Sequence, residues 1–448
     1  MNRPMYARSR TGSMLIGAGS LVLLVGGVML IAYFVQEQDA AAGSSTPPAA
    51  APVEPKSVTA PQAKPAEPPP APPATGALAT AVTLKFDGRT FGSTWAELGV
   101  VEGEGGGLSV DRARAEQALL SLKRVHDRAP FNARMDLEAR VVHKEKPGWG
   151  IDVYASISAI EAAVRAGSKE LELEGAPIPA SIGVKELGIE DISVVLGHFE
   201  SKFAIAEKSR NDNLKLLASH MDGLVIQPGQ EISFNEISGD RTEKEGYKVA
   251  HVIEAGEMVD GMAGGACQIS TTMHGAAFFA GLDVLSTTPH SRPSTYVPLG
   301  FDSTVVYPAT DLKLRNPYDF PVAVYYRVAR GEAYVEILGK EKPFDKVEFV
   351  REVVEQKPFE TVTREDSTIA LGHMVIDQPG YPGYKLFRYR NIYKDGKVIK
   401  KNKWTINYKP VVEYVRRGIN PDPNLPAPKA KASHMPKPAK GSVFKMAQ

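Results

Sequence analysis

The chain has 448 residues, with 53 Lys and Arg against 52 Asp and Glu, a net charge of +1. That balance excludes a nucleic-acid binder driven by basic excess. A single cysteine, Cys267, excludes an intramolecular disulfide framework and Cys-rich zinc or iron–sulfur sites.

Met14–Val35 is a run of 22 residues without a charged side chain. As a helix it would be about 33 Å long, enough to cross a bilayer core. Arg3, Arg8 and Arg10 precede it, and Glu37 and Asp39 follow. The positive-inside rule then places the N-terminus in the cytoplasm and the body in the periplasm or otherwise outside the membrane. A cleaved signal peptide is the competing reading, with Ala40–Ala42 as small residues for cleavage. The run is longer than a usual signal core, which favours a single-pass signal-anchor over residues 1–39. Residues 40–80 form an Ala/Pro-rich linker. Of the 34 prolines, 11 fall in residues 40–75 and 6 in residues 421–448. Such a segment reads as an extended spacer.

Residues 81–190 read as a mixed α/β module. Thr83–Phe91 alternates apolar and polar residues, which predicts a strand. Asp111–Arg124 predicts a helix with Asp111 as cap. Ala133–Val142 predicts a strand, Ser156–Ala166 a helix, and Lys169–Leu173 a further strand.

Residues 198–340 carry the chemistry. In GMAGGACQISTTMHGAAFFAG (261–281), Ile269, Met273, Ala276, Ala277 and Ala280 recur at helical spacing. Gly264 and Gly265 precede the helix and Gly281 ends it. Cys267 then sits near a helix N-terminus, where the dipole favours a thiolate. The glycines leave room for a substrate backbone, and the N–H groups of Cys267 and Gln268 would face an oxyanion. A small buried core thiol is the other reading of the same residue. His290 is the candidate base, held in a rigid segment by Pro289, Pro293 and Pro298. His274 lies two turns along the same helix, about 10 Å away, and is out of reach of Cys267.

Residues 345–420 read as β. Asp395-Gly396 between Phe387–Tyr393 and Lys397–Tyr408 predicts a hairpin. Trp404, Tyr389, Tyr393 and Tyr408 form either a sticky face or cross-strand packing. Residues 421–448 read as a disordered Pro/Lys tail. The chain has no HExxH, GxSxG or Walker lysine.

These motifs resemble the VanW family over residues 198–340. The match rests on SFNEISGDRTEKEGY (233–247), GGACQISTT (264–272), AGLDV (280–284), PHSRPSTYVP (289–298), GFDSTV (300–305) and DLKLRNPYDFPV (311–322). APFNARMDL with GWGIDVYASI is similar to the peptidoglycan-binding domain often found before VanW. The third piece looks like a G-five domain, thought to bind sugars, through Gly380, Gly383, Gly396 and Gly418. The sequence departs from the VanW pattern at Ala263 and Ala266, and at Met273-His274-Gly275.

Together, the residue patterns and the resemblance give an α+β protein: a single transmembrane helix, a Pro/Ala-rich linker, a mixed α/β module, a VanW α+β domain and a C-terminal β module. The resemblance also implies an envelope protein acting on peptidoglycan as a cysteine L,D-transpeptidase-like acyl transferase. The family cysteine and histidine map onto Cys267 and His290, and Asp302 is the candidate to orient His290. Candidate substrate-binding residues are Gly264, Gly265, Gln268, Ser270, Thr271, Arg241, Ser291 and Tyr296. Expected partners are peptidoglycan stem peptides and glycan, and the cytoplasmic membrane through residues 14–35. No cofactor, metal or nucleic acid is expected. The competing reading is a non-catalytic peptidoglycan-binding scaffold with Cys267 in the core.

Overall fold

The computed structural model describes residues 76–448 except 104, 255–256, 423 and 426–436, with the side chains of 252–254 and 257–259 also left aside. The expected anchor at 14–35 and nearly all of the linker lie outside the described residues. Among the described residues no helix is long and apolar enough to cross a membrane. The described body is mixed α+β and dominated by strands.

The first module begins with β1 (Ala81–Phe86), which buries Val82, Leu84 and Phe86 by simple alternation. At Asp87 and Gly88 φ turns positive, to 48° and 73°, and the chain reverses into β2 (Arg89–Thr94). The expected single strand over Thr83–Phe91 is therefore a hairpin, because Asp-Gly supplies two left-handed residues in a row. Helix α1 (Arg112–His126) starts where the Asp111 carboxylate accepts from the N–H groups of Ala113 and Arg114. Helix α2 (Val153–Ala166) is capped by Asp152 and stopped by Gly167 at φ 63°. The return strand β3 (Glu170–Glu172) pairs parallel to β1. Ala133–Val142, expected as one strand, is a short hairpin pairing Arg134–Asp136 with Val141–His143, and Arg140 in its turn has φ 55°.

The second module is a four-stranded antiparallel sheet. Its strands are β4 (Val194–Lys202), β5 (Val225–Ile226), β6 (Val322–Ala329) and β7 (Glu332–Gly339), ordered β4-β7-β6-β5. Helices α3 (Lys208–Met221) and α4 (Ala266–Phe279) pack on it. Gly197 of β4 is required by this packing, since a Cβ there would lie 2.2 Å from the Ala280 backbone nitrogen. Ile189 and Ile192 join Met135, Leu137 and Val142 of the first module against Ala323 and Leu338 of the sheet. Arg140 reaches the same sheet and pairs with the buried Glu336 at 2.6 Å.

The third module follows without a break in the core. Its strands are β8 (Lys346–Lys357), β9 (Thr361–Ala370), β10 (Met374–Gln378), β11 (Gly383–Lys394), β12 (Lys397–Tyr408) and β13 (Glu413–Asn420). Asp395 and Gly396 turn β11 into β12 with positive φ, as the sequence predicts. The expectation of a disordered tail does not hold for its last residues. These form β14 (Val443–Ala447), giving a sheet ordered β12-β11-β8-β14. Two apolar side chains fasten it: Met446 packs on the core, and Phe444 stands edge-on to Phe349 under the Arg351 guanidinium. Beside this sheet, β9, β13 and β10 form a second sheet in that order. Phe349, Val347 and Ile392 belong to the same core cluster as Phe278, Phe279 and Phe301, so the second and third modules share one interior.

Candidate active site

Every residue of helix α4 except Cys267 is buried, the polar Gln268, Ser270, Thr271, Thr272 and His274 included. A helix of that kind runs through a core. Cys267 is its second residue, in the first turn, and the only one to reach partial exposure. Gly265 begins the helix with φ 113°.

His290 comes to the thiol from a segment without regular structure. Thr304 N–H donates to Thr288 O at 2.7 Å and closes this segment into a loop. The loop sets His290 beside Asp302. One carboxylate oxygen, Asp302 Oδ2, accepts from both the backbone N–H and the ring Nδ1 of His290, each at 2.7 Å. With Nδ1 so engaged, Nε2 is the nitrogen left for the hydrogen bond between His290 and Cys267. Cys267 Sγ also lies 3.6 Å from Val305 O. Asp302 Oδ1 accepts from the Tyr408 hydroxyl, on β12 of the third module.

The charges of these groups are tied together. Burial pushes the Cys267 thiol up, but the His290 hydrogen bond and charge, with Val305 and Arg241, outweigh it and the net shift is down. Burial opposes a charged His290. Its bonds to Asp302 and Cys267 overcome that, and its pKa is raised to about 10. Asp302 is 2% exposed; burial disfavours its charge, yet the His290 contacts and Tyr408 hold its carboxyl below the usual range. The arrangement places a thiol of lowered pKa beside an imidazole of raised pKa, with a buried carboxylate behind the ring.

His274 is fully buried, its Nδ1 3.1 Å from Phe301 O, and burial holds it well below its ordinary pKa. It is a neutral core residue, away from the thiol as the helical spacing predicts. Met273 and Gly275 are buried with it, Gly275 under the Phe199 ring. The departures from the VanW pattern at 273–275 therefore face the core.

The other expected site residues fall into different places. Gln268 is 1% exposed and fully committed: its amide donates to Ser201 Oγ and Lys202 O, and its oxygen accepts from Arg210. Ser270 and Thr271 bond Ser303, pinning the helix to the residue after Asp302. These three are buried and hold the helix in register. The room beside Gly264 is filled by the Ala250 and His251 backbone, and that beside Gly265 by Leu214. The glycines thus serve the chain's own packing. Gln268 N–H donates to Gly265 O at 2.9 Å, so it is not free for an oxyanion. No backbone acceptor for Cys267 N–H is found among the described residues.

Arg241 is buried with φ 58°, donates to Ser238 Oγ at 3.1 Å, and its charge acts on Cys267. The Tyr296 ring stands edge-on to His290, 6.3 Å between centroids. Tyr296 also lines a cleft of about 340 Å³ with Glu200, Ser201, Lys202 and Thr295. Ser291 is exposed. A larger cleft, about 610 Å³, lies between Val184–Asp191 and Pro321, away from the thiol. Sequence reasoning placed Tyr408 in the β module and missed it as a site residue. No local signal could have found it, since its partner Asp302 is 106 residues away.

Three families match this chain. Residues 77–172 match the "Putative peptidoglycan binding domain", residues 209–338 the "VanW like protein" family, and residues 350–420 the "G5 domain". An uncharacterized protein of Bacillus subtilis, YoaR, is 38% identical over 146 residues, covering 33% of this chain and 48% of that protein. The vancomycin B-type resistance protein VanW of Enterococcus faecalis is 23% identical over 181 residues, covering 39% of this chain and 66% of that protein. The chain thus spans about half the length of the first and about two thirds of the second. Two solved G5 structures are also similar. The G5 domain of an IgA1 protease shows 18% identity over 17% of this chain and 94% of that chain, with a TM-score of 0.12. HP0197-G5 shows 25% identity over 17% of this chain and 100% of that chain, with a TM-score of 0.11. The chain carries these three domain types in the order in which the motifs were read: peptidoglycan-binding, VanW and G5.

Proposed function

We propose that this chain, with its VanW domain set between a peptidoglycan-binding and a G5 domain, is a cell-wall-associated cysteine acyl transferase of the L,D-transpeptidase type. The single observation that supports it is the Cys267–His290–Asp302 arrangement at the start of a buried helix. The flanking domain families support a substrate in the wall. Residues 14–35 anchor the chain in the cytoplasmic membrane in this reading, and the body works outside it.

In the proposed reaction the Cys267 thiolate attacks the carbonyl at the L-centre of a diaminopimelate-type residue in a donor stem. The carbonyl π electrons move to oxygen. His290 gives its proton to the departing amine as the C–N bond breaks, and D-Ala leaves. A side-chain amine of an acceptor stem then attacks the thioester. His290 takes the amine proton, the C–S bond breaks, and the thiolate returns with a 3-3 cross-link formed. The contact with His290 that lowers the Cys267 pKa favours ionisation of the pair before attack. Arg241, the buried cation whose charge acts on Cys267, suits the carboxylate that a stem peptide presents.

The test is incubation of the body with disaccharide tetrapeptides and mass spectrometry of the products. Wild type is expected to make 3-3 dimers, and Cys267→Ala to make none while still sedimenting with sacculi. Equal product from both proteins would remove the enzymatic reading and leave the binding scaffold.

A further inference from the structure

Asp302 is a buried anion, and both of its contacts with His290 use one oxygen, Oδ2. That leaves Oδ1 in an interior where a carboxylate oxygen without a donor is costly. The donor comes from outside the VanW domain. Tyr408 ends β12, and its hydroxyl meets two groups of the 300–302 segment. Gly300 N–H donates to the Tyr408 oxygen at 3.1 Å. A backbone N–H cannot accept, so the hydroxyl proton is free to point in one useful direction only, toward Asp302 Oδ1. Tyr408 is 4% exposed and packed in its own small cluster with Tyr384, Leu386 and Ile406. Its ring is therefore fixed by the third module, and the carboxylate is fixed by its hydroxyl.

We infer that Tyr408 is a positioning residue for the thiol–imidazole pair, and that the G5 domain thereby completes the VanW site. This rests on the Cys267–His290 reading above. The G5 residue locks the rotation of Asp302 and satisfies its second oxygen. His290 is then held with Nδ1–H on Oδ2 and Nε2 toward the thiol. A second contact runs in the same direction: Arg388 of β11, buried beneath Trp404, donates to Gly300 O at 3.4 Å. Tyr408 stays protonated through the working range, because burial and the neighbouring Asp302 both push its ionisation far up. It can donate to Asp302 at every pH at which the pair exists.

The experiment is the pH–rate profile of Cys267 alkylation by iodoacetamide in the full chain. Tyr408→Phe removes only the hydroxyl. It is expected to move the profile to higher pH and to slow alkylation at pH 6 at least about threefold, half a pH unit or more. The high-pH plateau should stay unchanged. Tyr318→Phe is the control, since it removes a half-buried hydroxyl bonded to Ala280 O at the far end of α4. It should lower the melting temperature without moving the profile. If Tyr408→Phe does not fold, 3-fluorotyrosine at 408 keeps the ring and strengthens the donor. It should move the profile measurably from that of wild type, because the altered donor acts on the carboxylate that holds His290. A Tyr408→Phe or fluorotyrosine protein that folds and titrates like wild type would overturn the inference. The alkylation readout needs no turnover, so it decides Tyr408 even if wild type forms no cross-links. A wild type that makes dimers, beside a Tyr408→Phe protein of equal kcat and pH profile, would sink this inference alone.

Discussion

Asp302 takes two hydrogen bonds from one residue, and that double hold determines what His290 can do. The backbone bond fixes the residue and the ring bond fixes the tautomer. The pair's ionisation then couples to folding, and the sign follows from each group. His290 has its pKa raised to about 10, so its contribution is complete below the unfolded value near 6.5 and is lost as pH rises through about 10. Cys267 is lowered, so its contribution is present above the unfolded value near 8.5 and is lost as pH falls through the folded one. Between these values the two run in opposite senses and offset each other. Above about pH 8.5 only the histidine contribution changes. The stability difference between wild type and a Cys267→Ala/His290→Ala double variant should therefore shrink from about pH 8.5 to 10. Urea unfolding at stepped pH measures it, and a difference that grows across that window would contradict the ion pair.

Helix α4 is held at both ends by parts of the chain remote in sequence. Its N-terminus carries the thiol, and its C-terminus meets Arg390 of β11. The buried Arg390 guanidinium donates to Leu282 O at 2.6 Å and Phe278 O at 3.4 Å, and lies over the Phe278 ring. A cation there satisfies terminal carbonyls and complements the helix dipole. Arg390→Ala should cost about 2–4 kcal/mol, from charge-assisted hydrogen bonds and lost packing. A loss under about 0.5 kcal/mol in urea unfolding would show that the helix end does not depend on the third module. The helix itself was readable: glycines at 264–265 and 281 bracket the run, and it extends over Ala266–Phe279. Asp87-Gly88 shows the limit. The same dipeptide marks the turn at 395–396, but at 87–88 the alternation on both sides runs through it and masks the turn. Thr271 and Ser270 are expected as substrate contacts from the resemblance, because they match the family's run after the cysteine. Helical geometry turns them toward Ser303, a contact that no local pattern reveals.

At the scale of the whole chain, the order of domains was legible because each keeps its own motifs. Their junctions were not. The second and third modules share one core, through Phe278, Phe301 and Phe349, whose contacts span dozens of residues. The C-terminal strand escaped notice for a similar reason. Val443–Ala447 follows a Pro/Lys-rich stretch, and its pairing with β8 is set by a partner almost a hundred residues earlier. Cys267, His290 and Asp302 were candidates from sequence, while Tyr408 emerges only when the third module is folded against the second. In the proposed reaction this assembly makes Cys267 an acyl carrier. The most direct measurement is the intact mass of the protein after incubation with a stem tetrapeptide whose amines are acetylated, so that no acceptor is present. The account predicts release of D-Ala and a mass gain equal to the tripeptide acyl group, mapped to Cys267 and absent in Cys267→Ala. D-Ala release that persists in Cys267→Ala, or a wild type that neither gains the acyl mass nor releases D-Ala, would contradict it.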